Sequence, residues 1–382
     1  MIYLDANATT PIAPDVLDAM LPWLRGGYEN PSGIHQGAKR ARAAIEHARG
    51  QVAALIGAAP EEIVFTGSGT ESVNTALISM HQLCGPGHVL VSAIEHSAVL
   101  RAAAATGRDV VKIPCLPDGR VDMEATARLI DGAAFVSVMT ANNETGVVQP
   151  VAEIAALAHD AGLPIHTDAV QAAGKIPLDV RTPAVEMLSM AAHKFYGPKG
   201  VGVLFVRRGL RFAPMIHGGG QEGGRRSGTE NTAGIVGIGA AAEVAASNMP
   251  DSAARDAFEN IITTELDGVM LNGDSAPRLP NTSHLSIDGC DAGGMLILLD
   301  EAGIACSAGS ACMTGKSQPS HVQIAMGIDE ARARTSLRIS FTRDATPDIA
   351  AEAAAKVAAA ARKLRQVQGH GVGPVAVYSP GG

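Results

Sequence analysis

Aromatic side chains are nearly missing from this chain: seven Phe, four Tyr and one Trp make up 3% of 382 residues. Apolar residues still reach 46%, so the core has to be built from Ala, Val, Leu and Ile. Cysteine is scarce too. Its five copies, at 84, 115, 290, 306 and 312, form an odd set without the C-x-x-C pairing of a zinc site. Reduced thiols in a cytoplasmic protein fit this better than a disulfide framework. No run approaches the ~18 consecutive apolar residues of a membrane helix. Met1-Ile2-Tyr3-Leu4-Asp5 has no basic n-region and no h-region, so no secretory leader is expected. A net charge of −8 argues against non-specific nucleic-acid or acidic-membrane binding as the main task.

What is present is a regular alternation. Strand-type runs at Ile63–Thr66, Val89–Ser92, Val110–Pro114, Phe135–Thr140 and Pro164–Thr167 alternate with helical patterns near Val99–Thr106, Met123–Ile130 and Val151–Ala161. Two more β-rich runs, Val185–Met190 and Val201–Val206, follow. Such alternation predicts βαβ units, an α/β class and a mostly parallel sheet. Helical spacing also marks Asp15–Leu24 and His35–Ile56, whereas the rest of residues 1–34 is irregular and polar. A Gly-rich segment, His217–Asn231, opens an Ala-rich helix to about Ala246, and a domain boundary is expected between Ser247 and Ala257. Beyond it, short strands near His284–Ile287 and Arg338–Phe341 and a helix from Ile349 to about Arg365 read as α+β. The Gly/Pro tail from Gly369 is expected to fray.

The polar residues gather at strand ends, where open α/β sheets bind ligands. Lys194, in His193-Lys194-Phe195-Tyr196-Gly197-Pro198, ends one strand and is boxed by turn residues; such an amine can form a Schiff base with an aldehyde cofactor. Gly67-Ser68-Gly69-Thr70 between strand and helix offers free N–H groups and hydroxyls to an anion, but it lacks the Gly-Lys-Ser/Thr of a P-loop. His96, Asn143 and Gln171 lie at the same rim. Asp168, in His166-Thr167-Asp168, suits a protonated heterocyclic nitrogen better than a metal, because no third ligand stands at sensible spacing. Arg225 and Arg226, in the Gly-rich segment, suit anions. Arg338 is a charge inside a strand pattern, either a solvated face or a clamp for a carboxylate. Cys312 sits among Ser, Gly and Ala with Lys316 nearby, a setting for an exposed, usable thiolate.

In this order the motifs, from Tyr3-Leu4-Asp5-Ala6-Asn7-Ala8-Thr9-Thr10 to about Ala350, resemble the cysteine desulfurases of the NifS/IscS group, class-V aminotransferases that use pyridoxal 5′-phosphate. The resemblance implies the fold type I architecture of pyridoxal-phosphate transferases. It comprises a large domain (15–250) with a mostly parallel seven-stranded sheet and a smaller α+β domain (1–14 and 251–382). It implies that Lys194 carries the cofactor and moves protons at the substrate Cα, that Asp168 pairs with the ring nitrogen, and that His96 stacks on the ring. Gln171 and Asn143 would surround the ring hydroxyl and the substrate, and Gly69, Thr70 and His193 would contact the phosphate. Thr229 matches a threonine supplied by the other subunit of a homodimer, and Arg338 one that holds the substrate carboxylate. Cys312 matches the nucleophile that takes sulfur from L-cysteine, releases alanine and hands a persulfide to a protein acceptor, as in iron–sulfur cluster assembly. Ala191 and Ala308 stand where relatives carry polar residues, and Cys306 is close enough in sequence to Cys312 for sulfur exchange.

Two rivals remain at this level. One is another pyridoxal reaction, such as selenocysteine cleavage, which would survive loss of Cys312. The other is a silent scaffold binding sulfur-transfer partners, which would not need Lys194.

Overall fold

The computed structural model describes residues 1–182, 184–308 and 319–368. A seven-stranded sheet forms its centre, with spatial order Ile63–Thr66, Gly202–Val206, Met187–Ala191, Ile165–Asp168, Ala133–Ser137, His88–Ser92, Val110–Ile113. Gly202–Val206 runs antiparallel to both neighbours, and every other adjacent pair is parallel. Six of the seven strands therefore point their carboxyl ends to one side. The expected strands lie within a few residues of these bounds; the main shift is at Ala133–Ser137, which begins and ends earlier than the Phe135–Thr140 run.

Helices cover the sheet, and small residues let them come close. Thr232–Ser247 packs on Gln36–Leu55, and a Cβ on Gly239 would lie 2.6 Å from Ala48 Cα. A chain poor in aromatics fills its interior by close approach of thin helices and loses little volume to voids. Arg49 on the second of these helices is buried; its guanidinium makes a two-pronged pair with Glu222 at 2.7 and 2.8 Å. Glu222 also accepts from Phe65 N at 2.9 Å, so the Gly-rich segment is pinned to an edge strand and is not a loose linker.

A second core, separate from the sheet's, joins Leu4 to Phe258, Ile262, Leu285, Leu299, Leu337, Ile339 and Val357. A three-stranded antiparallel sheet, Ser336–Ser340, Thr282–Ile287 and Val269–Leu271, backs onto helices Ala253–Glu265 and Pro347–Gln368. Helix Ala253–Glu265 starts inside the polar stretch read as a boundary and was not expected; its apolar positions Ala254, Phe258 and Ile262 are four apart but interrupted by charge. The first strand, Ile2–Tyr3, pairs in parallel with Ile304–Ala305, and Asp5 bridges to Ser340. Residues 5–10 then cross to the large sheet, where Thr10 N donates to His193 O at 2.9 Å.

Candidate active site

The cleft that gathers the chemistry is a cavity of about 240 Å³ at the carboxyl ends of the parallel strands, lined in part by Gly69, Thr70, His96, Asn143, Asp168, Gln171, His193 and Lys194. Each lies two to six residues beyond the end of a strand or, for Asp168, on its last position.

Lys194 closes a 3-10 turn, Ala192–Lys194, straight after strand Met187–Ala191. Its Nζ donates to the main-chain oxygens of Asn7 at 2.6 Å and Ala8 at 2.9 Å. Burial, then the positive charge of Arg338, bring its pKa down to about 8, against the pull of Asp168 and Asp5. Two residues on, Tyr196 has φ +69°, a costly conformation for a bulky residue and one that clusters at functional sites. Three contacts hold it there: Thr10 Oγ1 accepts from its N–H at 2.7 Å, its carbonyl accepts from Ala13 N at 3.0 Å, and Arg343 lies over its ring. The strained turn fixes the lysine because both its sides are tied to the N-terminal segment.

Asp168 is buried, and its Oδ1 accepts from Val170 N at 2.9 Å. Burial pushes its pKa up to about 6, because the carboxylate has one backbone donor and no ion pair in the described residues. Two residues earlier, His166 is spent on structure: its ring nitrogens face Ser137 Oγ at 2.8 Å and Ser189 Oγ at 2.9 Å.

His96 caps helix Ser97–Ala105, its Nδ1 accepting from Ala98 N at 3.2 Å. The neutral tautomer therefore carries its proton on Nε2. Partial desolvation and the nearby Lys194 and His321 keep its pKa below the usual value, so the neutral form dominates at pH 7. Helix Gly69–Leu83 aims its N-terminus at the opposite wall. Ser68 Oγ caps the helix by accepting from Glu71 N, and Glu71 Oε2 accepts from Gly67 N, which leaves the Gly69 and Thr70 amides at the cavity. A Cβ on Gly69 would come within 2.9 Å of Val170 and 3.2 Å of Ala191, so only glycine and a small partner keep this corner open. His193, its pKa lowered to about 4 mainly by burial, lies beside Thr9 Oγ1 at 3.2 Å.

Arg338 sits on the second sheet, 5% exposed. It donates to Asn143 O at 3.1 Å and to Asp5 Oδ1 at 2.7 Å, while its buried Nε has no partner among the described residues. The solvated-face reading is thus replaced by a buried clamp with a donor to spare, next to the Asn143 wall of the cleft.

Not every predicted residue joins. Thr229 is exposed and does not line the cavity. Arg225 and Arg226 do not line the cavity and are engaged within the chain: Arg226 pairs with Glu71 at 2.8 Å and Arg225 donates to Ile63 O. Cys312 lies outside the described residues. Cys306 is close to Asp5 and Arg338; burial, then Asp5, push its thiol up to about 12, which leaves no useful thiolate.

Sequence reasoning missed Asn7, Asp5, Glu95 and Lys175. Glu95 is fully buried behind His96, accepts from Ser92 and Met139 N, and is pushed up to about 8 by burial. Its neighbour His96 was the visible signal, but nothing in a single sequence shows which acid is buried. His321 Nε2 reaches Glu95 O at 2.9 Å, and Ser320 Oγ donates to Glu144 Oε2 at 2.5 Å. The segment after residue 318 is thereby tied to the rim of the cleft.

An anchored amine of lowered pKa, a buried carboxylate in need of a cation, and a helix N-terminus with a glycine corner define a site for a phosphorylated aldehyde whose ring carries a basic nitrogen. The residues present fit pyridoxal 5′-phosphate: Lys194 for the aldehyde, Asp168 for the ring nitrogen, Gly69, Thr70 and His193 for the phosphate. Comparison with known proteins agrees. Residues 2–349 match the class-V aminotransferase family model, and the chain belongs to this family, whose members work with pyridoxal 5′-phosphate. It is 45% identical over 355 residues to a cysteine desulfurase from Enterobacter agglomerans, covering 90% of this chain and 88% of that one. It is 42% identical to the cysteine desulfurase NifS of Azotobacter vinelandii, covering 100% and 97%. Among solved structures, a NifS-like protein from Rickettsia africae superposes with a TM-score of 0.85 at 31% identity, covering 96% and 99%. SspA in complex with cysteine superposes with a TM-score of 0.80 at 35% identity, covering 90% and 99%. The fold is that of the pyridoxal-phosphate-dependent transferases of type I.

Proposed function

We propose that the chain is a cysteine desulfurase that removes sulfur from L-cysteine, gives L-alanine and holds the sulfur as a persulfide on Cys312 for a protein acceptor. The observation that carries this is the pairing of Lys194, half-buried in one cleft with Asp168, with the spare donor of Arg338, whose guanidinium rests on the carbonyl of the cleft residue Asn143. Pyridoxal phosphate bound there supplies an electron-withdrawing ring that stabilises negative charge on the amino acid's carbons.

The residues of the chain do the rest. Arg338 binds the substrate carboxylate with its free N–H groups, backed by Asp5 and the Asn143 carbonyl, and so fixes which end of the amino acid faces the cleft. Lys194, with a pKa of about 8, takes and returns the proton at Cα near neutral pH. His96, neutral with its proton on Nε2, exchanges a proton with the substrate thiol. The Cys312 thiolate attacks the substrate sulfur and the Cβ–S bond breaks. Its electron pair stays with Cβ, which gains a proton and becomes the methyl group of alanine. Chemistry at Cα needs a fixed base; chemistry at sulfur needs a thiol that can arrive and leave.

The working unit in this reading is a cytoplasmic homodimer in which Thr229 contacts the phosphate of the partner's site. Its exposure away from the cleft of its own chain supports this, as do the exposed Leu17, Leu24, Tyr28 and Ile34. Residues 15–250 form the large domain and 1–14 with 251–382 the small one, a division supported by the packing of Leu4 in the second core. No described helix is long and apolar enough to cross a membrane. The acceptor is a sulfur carrier or an iron–sulfur scaffold protein.

The test supplies L-cysteine and measures alanine and sulfide for wild type and Cys312→Ser. The variant is expected to bind cysteine and form almost no alanine. Undiminished alanine from Cys312→Ser would remove this thiol from the reaction and favour a selenocysteine-lyase-type or other pyridoxal activity.

A further inference from the structure

Four residues beyond Gln171 the chain buries a second lysine that neither cofactor nor substrate binding uses. Residues 169–176 leave the central strand in helical turns, with Ala173 N donating to Ala169 O and Ile176 N to Ala172 O. Gln171 and Lys175 therefore share a face. Lys175 is 5% exposed. Its Nζ donates to Gln171 Oε1 at 2.8 Å and to Asn7 Oδ1 at 2.8 Å, and no carboxylate among the described residues pairs with it. A buried amine with only neutral partners is a costly group to keep. Burial, then Lys194 and Arg338, hold its pKa far below the ordinary lysine value. Costly groups of this kind concentrate at reaction centres.

The atoms it touches give it a task. With Oε1 of Gln171 turned to Lys175, Nε2 points the other way. It donates to Asn7 O at 2.9 Å and keeps a second hydrogen for the cavity that Gln171 lines. Asn7 O is the same atom on which Lys194 Nζ rests at 2.6 Å. The Asn7 side chain is held further by Nδ2 on Thr282 Oγ1 at 2.9 Å and on Asn143 O at 3.3 Å. Lys175 thus stands behind both the cofactor amide and the carbonyl that seats the catalytic amine.

We propose that Lys175 is a positioning residue of the reaction centre, which fixes the amide of Gln171 and, through Asn7, the seat of Lys194; this rests on reading Lys194 as the cofactor-bearing amine. Without its donors Gln171 is free to flip, and its oxygen replaces its nitrogen at the cavity. A lysine that only filled space would be replaced by methionine, of similar length and apolar, without effect on that amide.

The experiment titrates pyridoxal phosphate into cofactor-free wild type, Lys175→Met, Gln171→Ala and the double variant, reading the dissociation constant and the visible absorption maximum. Loss of one buried hydrogen bond predicts binding about tenfold weaker in each single variant. The absorption maximum should move the same way in both, and the double variant should be no worse than either. Wild-type affinity and spectrum in a folded Lys175→Met variant, or losses that multiply in the double variant, would overturn the proposal. Should Lys175→Met fail to fold, Lys175→Leu, which also removes the donor, is measured instead; a loss of the same size is expected, and wild-type values again overturn the proposal. Borohydride reduction of loaded wild type should trap the cofactor on residue 194. Trapping elsewhere would instead overturn the reading of Lys194 itself.

Discussion

Replacing Asp168 by Asn should stabilise the cofactor-free protein, although it removes a group the reaction depends on. The carboxylate is buried with one backbone donor, and its pKa rises from its ordinary 3.8 to about 6. At 1.36 kcal/mol per pKa unit, that rise costs the folded state about 3 kcal/mol once the group is ionised in both states. The sign follows from the direction. The folded state binds the proton more tightly than the unfolded chain, so below pH 3.8 there is no cost, and the cost grows as pH rises through about 6. Asn keeps an acceptor for Val170 N and carries no charge. Urea unfolding of cofactor-free protein should therefore show Asp168→Asn more stable by up to about 3 kcal/mol near pH 7.5, by about half that near pH 5, and by nothing near pH 3.5. Pyridoxal phosphate should reverse the order, because only the wild type offers its ring nitrogen an anion. A variant less stable than wild type near neutral pH, or a difference that ignores pH, would refute the view of Asp168 as an unpaired carboxylate held ready for a cation. A stability gained by disabling the site is the expected signature of a strained functional residue.

Two further substitutions probe the frame around the cleft. Arg338→Lys keeps a charge but loses the guanidinium fork and the unpartnered Nε; a lost charged hydrogen bond predicts a KM for cysteine raised about 10- to 100-fold with kcat changed far less. Alanine production across a range of cysteine concentrations checks this, and an unchanged KM would place the substrate carboxylate elsewhere. Arg49→Met leaves the Glu222 carboxylate buried without its two-pronged partner, which should cost about 3–5 kcal/mol in chemical unfolding. A loss below about 1 kcal/mol would mean that water reaches Glu222 and that the Gly-rich segment is not clamped as described.

The parallel sheet was legible because alternating strand and helix patterns carry their own periodicity. The rim residues Gly69, His96, Asn143, Asp168 and Lys194 were legible for a related reason: they follow strands directly, and the fold class puts those ends on one side. The second core was harder to read. Helix Ala253–Glu265 carries charge between its apolar positions, and strands such as Ile2–Tyr3 are too short to leave a pattern. Asn7 and Lys175 gave no local sign at all, since Asn7 serves as a hub only when residues 168, 274 and 136 positions away in sequence fold around it.

By itself the sequence determined which chemistry was available and at which strand ends it would stand, because turn residues and periodicity act over a few positions. Only the tertiary structure decided which charges are buried, which ones pair and which stay unsatisfied. Arg226 was taken by Glu71, Arg338 was left with a spare donor, Asp168 was raised and Lys194 lowered. Each of these outcomes depends on desolvation and on partners from distant segments, and those exist only once the chain has closed around the cleft.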